Sequence, residues 1–269
     1  MKIKIKIITE PTSEKPFLII YKPKNLPSAP LSKTDTDNAL YQAMQLFPQI
    51  KQVKGKKEIE YGLLHRLDTA TDGLLLICTS QQSYDFLTEQ QNQNKFIKTY
   101  IAECDCIKDN ALSLGSFPPL PENAENIINI QPLKSEIKIK SFFRSYGKNS
   151  REVRPVTEKS NKSSLQKVGK QKEYETCIAI SKNGEKYFAE CKITQGFRHQ
   201  VRSHLAWIGF PIKNDKLYNS NFRIEIDEVK KNNHLQHFDE DDLKFTATKL
   251  EFEYPKGDLN SYEIAFTWT

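Results

Sequence analysis

The sequence has few cysteines and no apolar run that approaches the roughly 20 residues of a membrane-spanning helix. Its 269 residues contain five cysteines. An odd number of cysteines in a long chain argues against a disulfide framework and predicts a reducing, cytoplasmic compartment. Residues 1–8 alternate between apolar and basic side chains, as a half-exposed strand does, and lack the continuous apolar region of a signal peptide. The composition therefore points away from membrane-spanning proteins and disulfide-stabilised secreted proteins.

Metal-binding patterns are also scarce. Cys104 and Cys106 have the spacing of half a metal site, but no second pair of cysteines or histidines matches it. His199 and His204 are five residues apart, which does not suit a helical zinc pair. We therefore predict no metal site and interpret the cysteines as ordinary strand residues.

The chain has the composition of a globular protein. It is 38% hydrophobic and 28% charged, values typical of folded rather than disordered chains. Its length suits one large domain or two small ones, and no internal repeat is evident.

The net charge of +6 is concentrated in one segment. Residues 145–172 contain eight lysines and arginines against two glutamates, so the rest of the chain is about neutral. With few large apolar residues, this basic segment reads as a long loop or a protruding hairpin. Two interpretations remain open for it: a solvated insertion, or a contact with RNA phosphates.

Alternation of apolar and polar residues predicts many strands and few helices. Helices open at the capping residues Thr36 or Asp37 and at Ser80, and a third follows Phe197. Because the strands lack regular βαβ spacing, the pattern predicts an α+β fold with a mostly antiparallel sheet. The predicted strands are 2–8, 16–21, 73–78, 97–105, 135–143, 173–180, 186–193, 244–253 and 261–267, and the predicted helices are 36–46, 80–93 and 198–208.

The most informative stretch runs from residue 61 to residue 77. A charged cluster of His65, Arg66 and Asp68 lies between two apolar runs, and the second run reads as a buried strand. An aspartate beside an arginine at the end of a core strand is partly desolvated but charge-compensated, so it stays ionised and can act as a nucleophile or base. A structural ion pair is the alternative.

Five segments of the chain, in the same order, resemble motifs of RNA pseudouridine synthases of the RluA type. The H-R-L-D-x-x-T-x-G segment, residues 65–73, is the most distinctive of them. Agreement of five ordered segments is far more specific than any one of them. The others are F-L-I-I-Y-K-P-K-N-L-P at 17–27, K-T-Y-I-A at 98–102, G-F-R-H-Q-V-R-S-H-L at 196–205 and G-F-P-I-K-N-D-K-L-Y at 209–218.

The resemblance implies a pseudouridine synthase-like fold and an isomerase that converts uridines of structured RNA, ribosomal or transfer RNA, to pseudouridine. It implies no metal and no redox cofactor. Many relatives carry a small RNA-binding domain of the S4 type ahead of the catalytic domain. Because the first matching segment begins at Phe17, we expect no S4 domain and a single catalytic domain over residues 1–269. We also expect a monomer.

The resemblance assigns the chemistry to three residues. Asp68 occupies the position of the catalytic nucleophile. Arg202 occupies that of an arginine that forms a salt bridge with the nucleophile, although a phosphate-binding or surface arginine is the alternative. Tyr100 occupies that of a tyrosine placed against the target uracil, with core packing as the alternative.

The same resemblance predicts residues that bind the RNA. Arg66 is expected to fill the gap left by a flipped-out nucleotide, with an ordinary phosphate contact as the alternative. For the histidines, hydrogen-bonded structural roles are also open. The other predicted substrate-binding residues are His65, Lys98, Val201, Leu205 and Arg198.

The chain departs from the family pattern at four places. Asn25 and Asn214 replace glycines, and asparagine also tolerates positive φ. Asp72 replaces a serine and adds a negative charge near the nucleophile, which would raise its pKa if close. Phe197-Arg198 replaces Arg-Thr, which shifts the basic side chain by one position.

Two other functions are alternatives to isomerisation. A catalytically weak RNA-binding or assembly protein on the same fold would be favoured by loss of Asp68 or Arg202, and both are present. A different base-modifying hydrolase would call for an additional general base or a metal cluster, and the sequence offers neither. An isomerase is therefore the expected function.

Overall fold

A computed structural model describes residues 3–124, 136–168, 172–231 and 242–265. Ten strands are present in this part of the chain: β1 Lys6–Thr9, β2 Phe17–Lys22, β3 Asp72–Cys78, β4 Ile97–Cys104, β5 Ile137–Tyr146, β6 Glu152–Val156, β7 Tyr174–Asn183, β8 Lys186–Ile193, β9 Phe245–Glu253 and β10 Leu259–Glu263. Six α-helices accompany them: α1 Ala39–Leu46, α2 Gln81–Asn92, α3 Asn110–Leu114, α4 Lys162–Val168, α5 Gln200–Trp207 and α6 Ser220–Lys231.

All nine predicted strands and all three predicted helices have counterparts in the structure. The sequence analysis missed β6 and the helices α3, α4 and α6. The strand β6 is short and contains Pro155, and it lies at the end of the strand order, where a proline is tolerated because one side of the strand needs no ladder partner. Residues 2, 135, 169–171 and 266–267 of the predicted segments lie outside the described residues.

The chain divides into two compact units. The first consists of the described residues up to Thr99 together with those from Thr246 onward, and the second is Tyr100–Phe245. In the first unit the strands follow the order β1-β2-β3-β9, with β10 on β9. The pair β3–β9 is parallel, and the other pairs of this unit are antiparallel.

The core of the first unit explains why β2 and β3 are continuous apolar runs. Both strands are paired on two sides, and every residue of β3 is buried. Phe17 packs edge-on against Phe252, and Phe96 stacks on Phe252 with a centroid distance of 5.0 Å. Such aromatic contacts add to the free energy of burying the apolar surface. The motif segments 17–27 and 65–73 therefore lie at the ends of rigid core strands.

In the second unit the strands follow the order β4-β8-β7-β5-β6. Against these strands lies α5, in which every residue from Gln200 to Trp207 is buried. Gln200 donates to the carbonyl of Glu175, and Ser203 donates to the carbonyl of Val153. Buried polar groups are tolerated when they are hydrogen-bonded, so this helix is fixed by specific bonds as well as by packing.

The predicted α+β class with mostly antiparallel strand pairing is confirmed. The pairs β1–β2, β2–β3, β9–β10, β5–β6, β5–β7 and β7–β8 are antiparallel, and β3–β9 is parallel. Among the helices the structure describes, none is both long and apolar enough to cross a membrane.

Candidate active site

The loop that carries Asp68 is anchored at the residue before it. The Ser28 hydroxyl accepts a hydrogen bond from the Leu67 amide at 2.9 Å and donates one to the Leu67 carbonyl at 2.7 Å. After the aspartate, the Thr71 amide donates to the Asp68 carbonyl at 3.1 Å, which closes a turn. The half-buried Asp68 therefore lies in a backbone conformation that is fixed by its neighbours.

The residue after Asp68 is anchored as well. The Thr69 carbonyl accepts hydrogen bonds from the Lys22 ammonium at 3.2 Å and from the Asn25 amide at 2.8 Å. Asn25 has φ +61°, the conformation for which the family pattern has glycine. The segment 22–28 thus holds both sides of the aspartate, which explains why this segment belongs to the motif set.

Lys22 is a fully buried ammonium close to two carboxylates. It also donates to the carbonyls of Pro23 and Leu26, at 2.9 and 2.8 Å. Burial lowers the pKa of Lys22 to about 8, and the nearby Asp72 and Asp68 carboxylates oppose this shift. Its positive charge therefore lies close to the candidate nucleophile.

Asp72, the chain's departure from the family serine, is tied into the same region. Thr246 donates to its carboxylate at 2.7 Å, and the Tyr21 hydroxyl donates to the other carboxylate oxygen. Burial and this carboxylate raise the pKa of Tyr21, so the phenol remains protonated and remains a donor. The extra carboxylate is therefore matched by two hydroxyl donors and the Lys22 charge.

In the first unit Lys98 is buried and His65 is half-buried. The His65 Nε2 accepts from the Leu76 amide at 3.3 Å, and the ring lies against Phe96. Burial, together with the charge of Lys98, lowers the pKa of His65 to about 3, so the imidazole is neutral at physiological pH. Burial also lowers the pKa of Lys98 to about 8. The predicted RNA-binding roles of both residues stay predictions.

Arg66 is held at the surface by a buried acid that the sequence analysis missed. Its Nη1 lies 3.3 Å from a Glu60 oxygen, and Lys57 lies 3.8 Å from the same oxygen. The Arg66 side chain is 56% exposed, whereas that of Glu60 is 9% exposed. The guanidinium is thus oriented by one anion but open to solvent.

The backbone beside Glu60 is constrained. Tyr61 has φ +43° although it is not glycine, and Gly55 lies so close that an added Cβ would be 2.0 Å from the Tyr61 carbonyl oxygen. A Cβ added at Gly62 would likewise lie 2.0 Å from the Cys78 carbonyl oxygen of β3. Strained conformations persist where the surrounding packing determines them and often occur at functional sites.

In the second unit, Tyr100 lies on β4 and is 6% exposed. Its ring stacks on Phe245, with a centroid distance of 5.2 Å and an interplanar angle of 18°. The Phe245 ring therefore supports one face of Tyr100 and fixes the plane in which the tyrosine ring lies.

Arg202 of α5 forms a buried, bidentate ion pair with Asp215. Its Nε and Nη2 lie 2.8 and 2.9 Å from the two carboxylate oxygens. The Asp215 carboxylate also accepts hydrogen bonds from the amides of Leu217 and Tyr218. Arg202 and these donors lower the pKa of Asp215 against the opposing effect of burial, so the carboxylate is ionised. This pair fixes the plane of the Arg202 guanidinium.

The remaining predicted residues lie on or just before α5. Val201 and Leu205 are buried in the second unit, and Arg198 is exposed. Phe197 stacks on Phe143, with a centroid distance of 5.1 Å and an interplanar angle of 9°. This apolar contact explains the shift of the basic residue by one position, because the first of the two positions faces the core.

The predicted residues are therefore divided between the two units. The first unit holds Asp68 and the second holds Tyr100 and Arg202, and the expected salt bridge between Asp68 and Arg202 stays a prediction. The sequence analysis missed Ser28, Glu60 and Asp215 as supporting residues. Asp215 lies inside the motif segment 209–218, and this position was the signal that could have identified it. No feature of the local sequence around Glu60 marks that residue.

Comparison with known proteins identifies the family to which the chain is similar. The family model described as RNA pseudouridylate synthase matches residues 16–207. Among curated proteins, RNA pseudouridine synthase 7 of Arabidopsis thaliana is 30% identical over 156 residues, which is 58% of this chain and 33% of that protein. The mitochondrial tRNA pseudouridine(32) synthase of Saccharomyces cerevisiae is 24% identical over 187 residues, 70% of this chain and 32% of that protein. The chain thus spans about a third of the length of these relatives.

Solved structures support the same fold. The human RNA Pseudouridylate Synthase Domain Containing 1 has a TM-score of 0.58 at 15% identity, covering 99% of this chain and 84% of that chain. The human RNA Pseudouridylate Synthase Domain Containing 4 has a TM-score of 0.57 at 16% identity, covering 97% of this chain and 88% of that chain.

Proposed function

This chain belongs to the RNA pseudouridylate synthase family, and we propose that it isomerises uridine to pseudouridine in structured RNA. One observation carries the proposal. The carbonyl groups on both sides of Asp68 are held by Ser28, Lys22 and Asn25, inside the stretch that matches the family. A carboxylate carried on a backbone fixed in this way is suited to act repeatedly on one atom of a bound nucleotide.

The chemistry requires little beyond a carboxylate and a closed pocket. The bond between C1′ of the ribose and N1 of uracil breaks, the base rotates, and a bond forms between C1′ and C5. N1 gains a proton and C5 loses one, so the product is an isomer and no electrons are exchanged with a cofactor. In this proposal Asp68 is the nucleophile, and no metal takes part.

Two residues of the second unit complete the proposal. The family resemblance assigns Tyr100 to the face of the target uracil, and the Phe245 ring behind it fixes its plane. It assigns Arg202 to the Asp68 carboxylate, and the bidentate pair with Asp215 orients that guanidinium. An arginine beside the nucleophile would keep the carboxylate ionised.

We further propose that the enzyme reaches its uridine by base flipping and that Arg66 fills the vacated space. A base inside a stem is inaccessible, and flipping it costs a few kcal/mol. The half-exposed Arg66 guanidinium, tethered to Glu60, is planar and could offset part of that cost by stacking. The other predicted RNA contacts, from His65, Lys98, Val201, Leu205 and Arg198, are part of the same proposal.

The substrate and setting are also proposals. We propose ribosomal or transfer RNA as the substrate, and the name of the yeast relative specifies tRNA. We propose that the protein is a monomer. We also propose that it works in the cytoplasm, because all five cysteines are free thiols, as a reducing compartment would maintain.

The test compares the protein with its Asp68→Asn variant on unmodified RNA. We expect pseudouridine, measured by nucleoside chromatography with mass spectrometry, from the parent protein and none from the variant. Asp258→Asn, at an exposed loop position, is the matched control and should remain active. Turnover by Asp68→Asn within about tenfold of the parent, equivalent to about 1.4 kcal/mol of barrier, would show that Asp68 is not the nucleophile.

A binding or assembly protein without catalysis is the alternative. RNA containing fluorouracil should give a stable adduct with the enzyme on a denaturing gel, whereas a binder gives none. Mapping pseudouridines in total RNA from a strain that lacks the protein would then identify the target, because the corresponding site should become plain uridine.

A further inference from the structure

The chain uses arginine sparingly and concentrates it in one region. Seven of its 40 lysines and arginines are arginines, and six of these lie between Arg144 and Arg223. Both side chains carry one positive charge, but the planar guanidinium binds phosphate oxygens in pairs, whereas the ammonium acts as a point charge. The distribution therefore suggests a surface on the second unit where guanidinium geometry matters.

Five of these arginines form a group that we call the arginine cluster. They come from three separate stretches of the chain: the β5–β6 hairpin, the loop before α5, and α6. The linear basic segment 145–172 contains two of the five. The members are Arg144, Arg151, Arg154, Arg198 and Arg223.

The centre of the cluster is a fully buried guanidinium. Arg154 lies over the rings of Phe117 and Tyr146, 4.4 and 4.8 Å from their centroids. It forms an ion pair with Glu152 at 2.5 Å. Cation–π contacts are stronger when the arginine is desolvated, so this centre is a rigid base for the residues around it.

The surrounding arginines are more exposed. Arg223 lies 3.6 Å from Glu152 with 42% of its side chain exposed. Arg144 also lies over the Tyr146 ring, 5.0 Å from its centroid. Among the residues the structure describes, Glu152 is the one carboxylate that pairs with the cluster, and it pairs with Arg154 and Arg223. The cluster therefore carries more positive than negative charge.

Arg198 joins the hairpin to the loop before α5. Its Nη2 donates to the carbonyls of Ser150 and Glu152, and the rest of its guanidinium is exposed. The turn itself is set by left-handed conformations, with φ +57° at Asn149 and +54° at Ser150. Arg151, the next residue, is exposed and forms no ion pair within the described part of the chain. A preformed surface of this kind loses less entropy when it binds.

We propose that the arginine cluster is a docking surface for the phosphate backbone of the RNA substrate. The cluster, rather than the charge of the linear segment 145–172, then supplies the phosphate contacts of the second unit. The inference rests on the proposed function for the identity of the polyanion. Its geometry depends only on residues of the second unit.

The experiment measures binding of a fluorescein-labelled RNA stem-loop by anisotropy over a range of potassium chloride concentrations. Arg151→Gln with Arg198→Gln removes two cluster charges. Lys162→Gln with Lys167→Gln removes two exposed charges on α4 in the same basic segment. Each lost phosphate contact flattens the dependence of log K on log salt by about 0.7 to 0.9. We expect a flattening of about 1.5 for the arginine pair and little change for the lysine pair.

A charge-preserving pair tests the role of guanidinium geometry. Arg151→Lys with Arg198→Lys should keep the salt slope but weaken binding several-fold. Equal flattening by the arginine and lysine pairs would mean that linear charge, not the cluster, holds the RNA. No flattening by either pair, or no binding of the stem-loop, would overturn the proposal. Competition by polyglutamate as effective as that by RNA would identify a general acidic-polymer site and would also overturn it.

A second measurement uses only the parent protein, so its result does not depend on whether the variants fold. Phenylglyoxal modification of the parent protein, read by mass spectrometry, should slow in the presence of the stem-loop at Arg144, Arg151, Arg198 and Arg223. Unchanged rates at all four would refute the docking surface. Pseudouridine formation is assayed in the same preparation. Protection of the cluster without product would contradict the proposed function alone, and product without protection would contradict the cluster alone.

Discussion

At the scale of single residues, the anchoring of Asp68 depends on backbone groups. Ser28 holds the Leu67 amide and carbonyl, and Lys22 holds the Thr69 carbonyl. None of these contacts uses the aspartate side chain. Replacing the carboxylate by an amide should therefore remove the chemistry and leave the loop in place, which makes Asp68→Asn a clean test of the nucleophile.

Asp215 should matter for stability because it is the buried partner of Arg202. In Asp215→Asn the buried arginine loses the carboxylate that binds two of its nitrogens. Breaking a buried ion pair in this way typically costs about 3 to 5 kcal/mol. We expect a loss of this size in the free energy of unfolding, measured by urea denaturation at pH 7.

The control for Asp215 is an exposed ion pair with a similar distance between its charged atoms. Lys33 and Glu58 are 2.7 Å apart, with side chains 71% and 79% exposed. Exposed pairs contribute little to stability because water and salt screen them, so Glu58→Gln should change stability little. If the two variants were equally stable, burial of the Arg202–Asp215 pair would have no measurable role in stability.

Glu60 should influence catalysis through Arg66. Glu60→Gln removes the charge that orients the guanidinium, and because Arg66 is more than half exposed, the interaction is worth about 0.2 to 1 kcal/mol. We expect the single-turnover rate of pseudouridine formation to fall by about 1.4- to fivefold, which corresponds to that range. In an Arg66→Met background the same change should cost nothing further, because coupled residues are non-additive. Equal losses in both backgrounds would show that Glu60 acts independently of Arg66.

At the scale of elements, α5 depends on a buried neutral histidine. The two nitrogens of His204 are hydrogen-bonded to the hydroxyls of Ser141 and Thr176, at 2.9 and 2.8 Å. Burial lowers the pKa of His204 from 6.5 to about 3. Between these values the unfolded chain binds a proton that the folded chain does not, so folding loses stability as the pH falls from about 6.5 towards 3.

This linkage gives a prediction for His204→Gln. The variant should be less stable than the parent at pH 7. Its free energy of unfolding should fall less steeply as the pH is lowered, and the two slopes should differ by up to about 1.4 kcal/mol per pH unit. Urea denaturation at several pH values between 7 and 4.5 measures both quantities. Ser141→Ala is the control, because it removes one hydrogen bond but keeps the buried imidazole, so the steep acid dependence should remain. An equally steep dependence in His204→Gln would contradict the assignment.

The elements that could be predicted from the sequence are those with strong periodicity. The continuous apolar runs of β2 and β3 and the Ser80 cap of α2 identify their structures locally, and the Ser83 amide does donate to the Ser80 hydroxyl. The helices α3 and α4 are short, with five and seven residues. Such helices depend on tertiary packing rather than on intrinsic propensity, so the local sequence carries little signal for them.

The candidate site divides in the same way. Asp68, Tyr100 and Arg202 could be proposed from the sequence because they lie in recognisable motifs, and their catalytic roles stay predictions. Glu60 was not, because its role depends on a buried position next to the positive φ of Tyr61. The arginine cluster was also missed as a group, since its members come from distant stretches of the chain and meet only after folding.

At the scale of the whole molecule, charge is organised by residue type as well as by sign. The basic segment 145–172 is the most obvious feature of the sequence, yet the guanidinium groups of the second unit gather from a wider range, 144–223. Lysines supply general charge and solubility, whereas arginines supply directed contacts. The net charge counted along the chain therefore identifies the basic segment 145–172 but not the arginine cluster.

The five free cysteines allow a test of the whole fold. Cys106 is exposed and Cys177 partly buried, while Cys78, Cys104 and Cys191 are buried. Burial raises the pKa of Cys78 to about 12 and that of Cys104 well above its usual range, so these thiols form little reactive thiolate. We expect one thiol of the native protein to react quickly with a disulfide reagent, a second to react slowly, and the remaining three to react only in denaturant. Cys106→Ser should abolish the fast phase. Fewer than five reactive thiols in denaturant without reductant would indicate a disulfide and would contradict both the free thiols of the structure and the proposed reducing compartment.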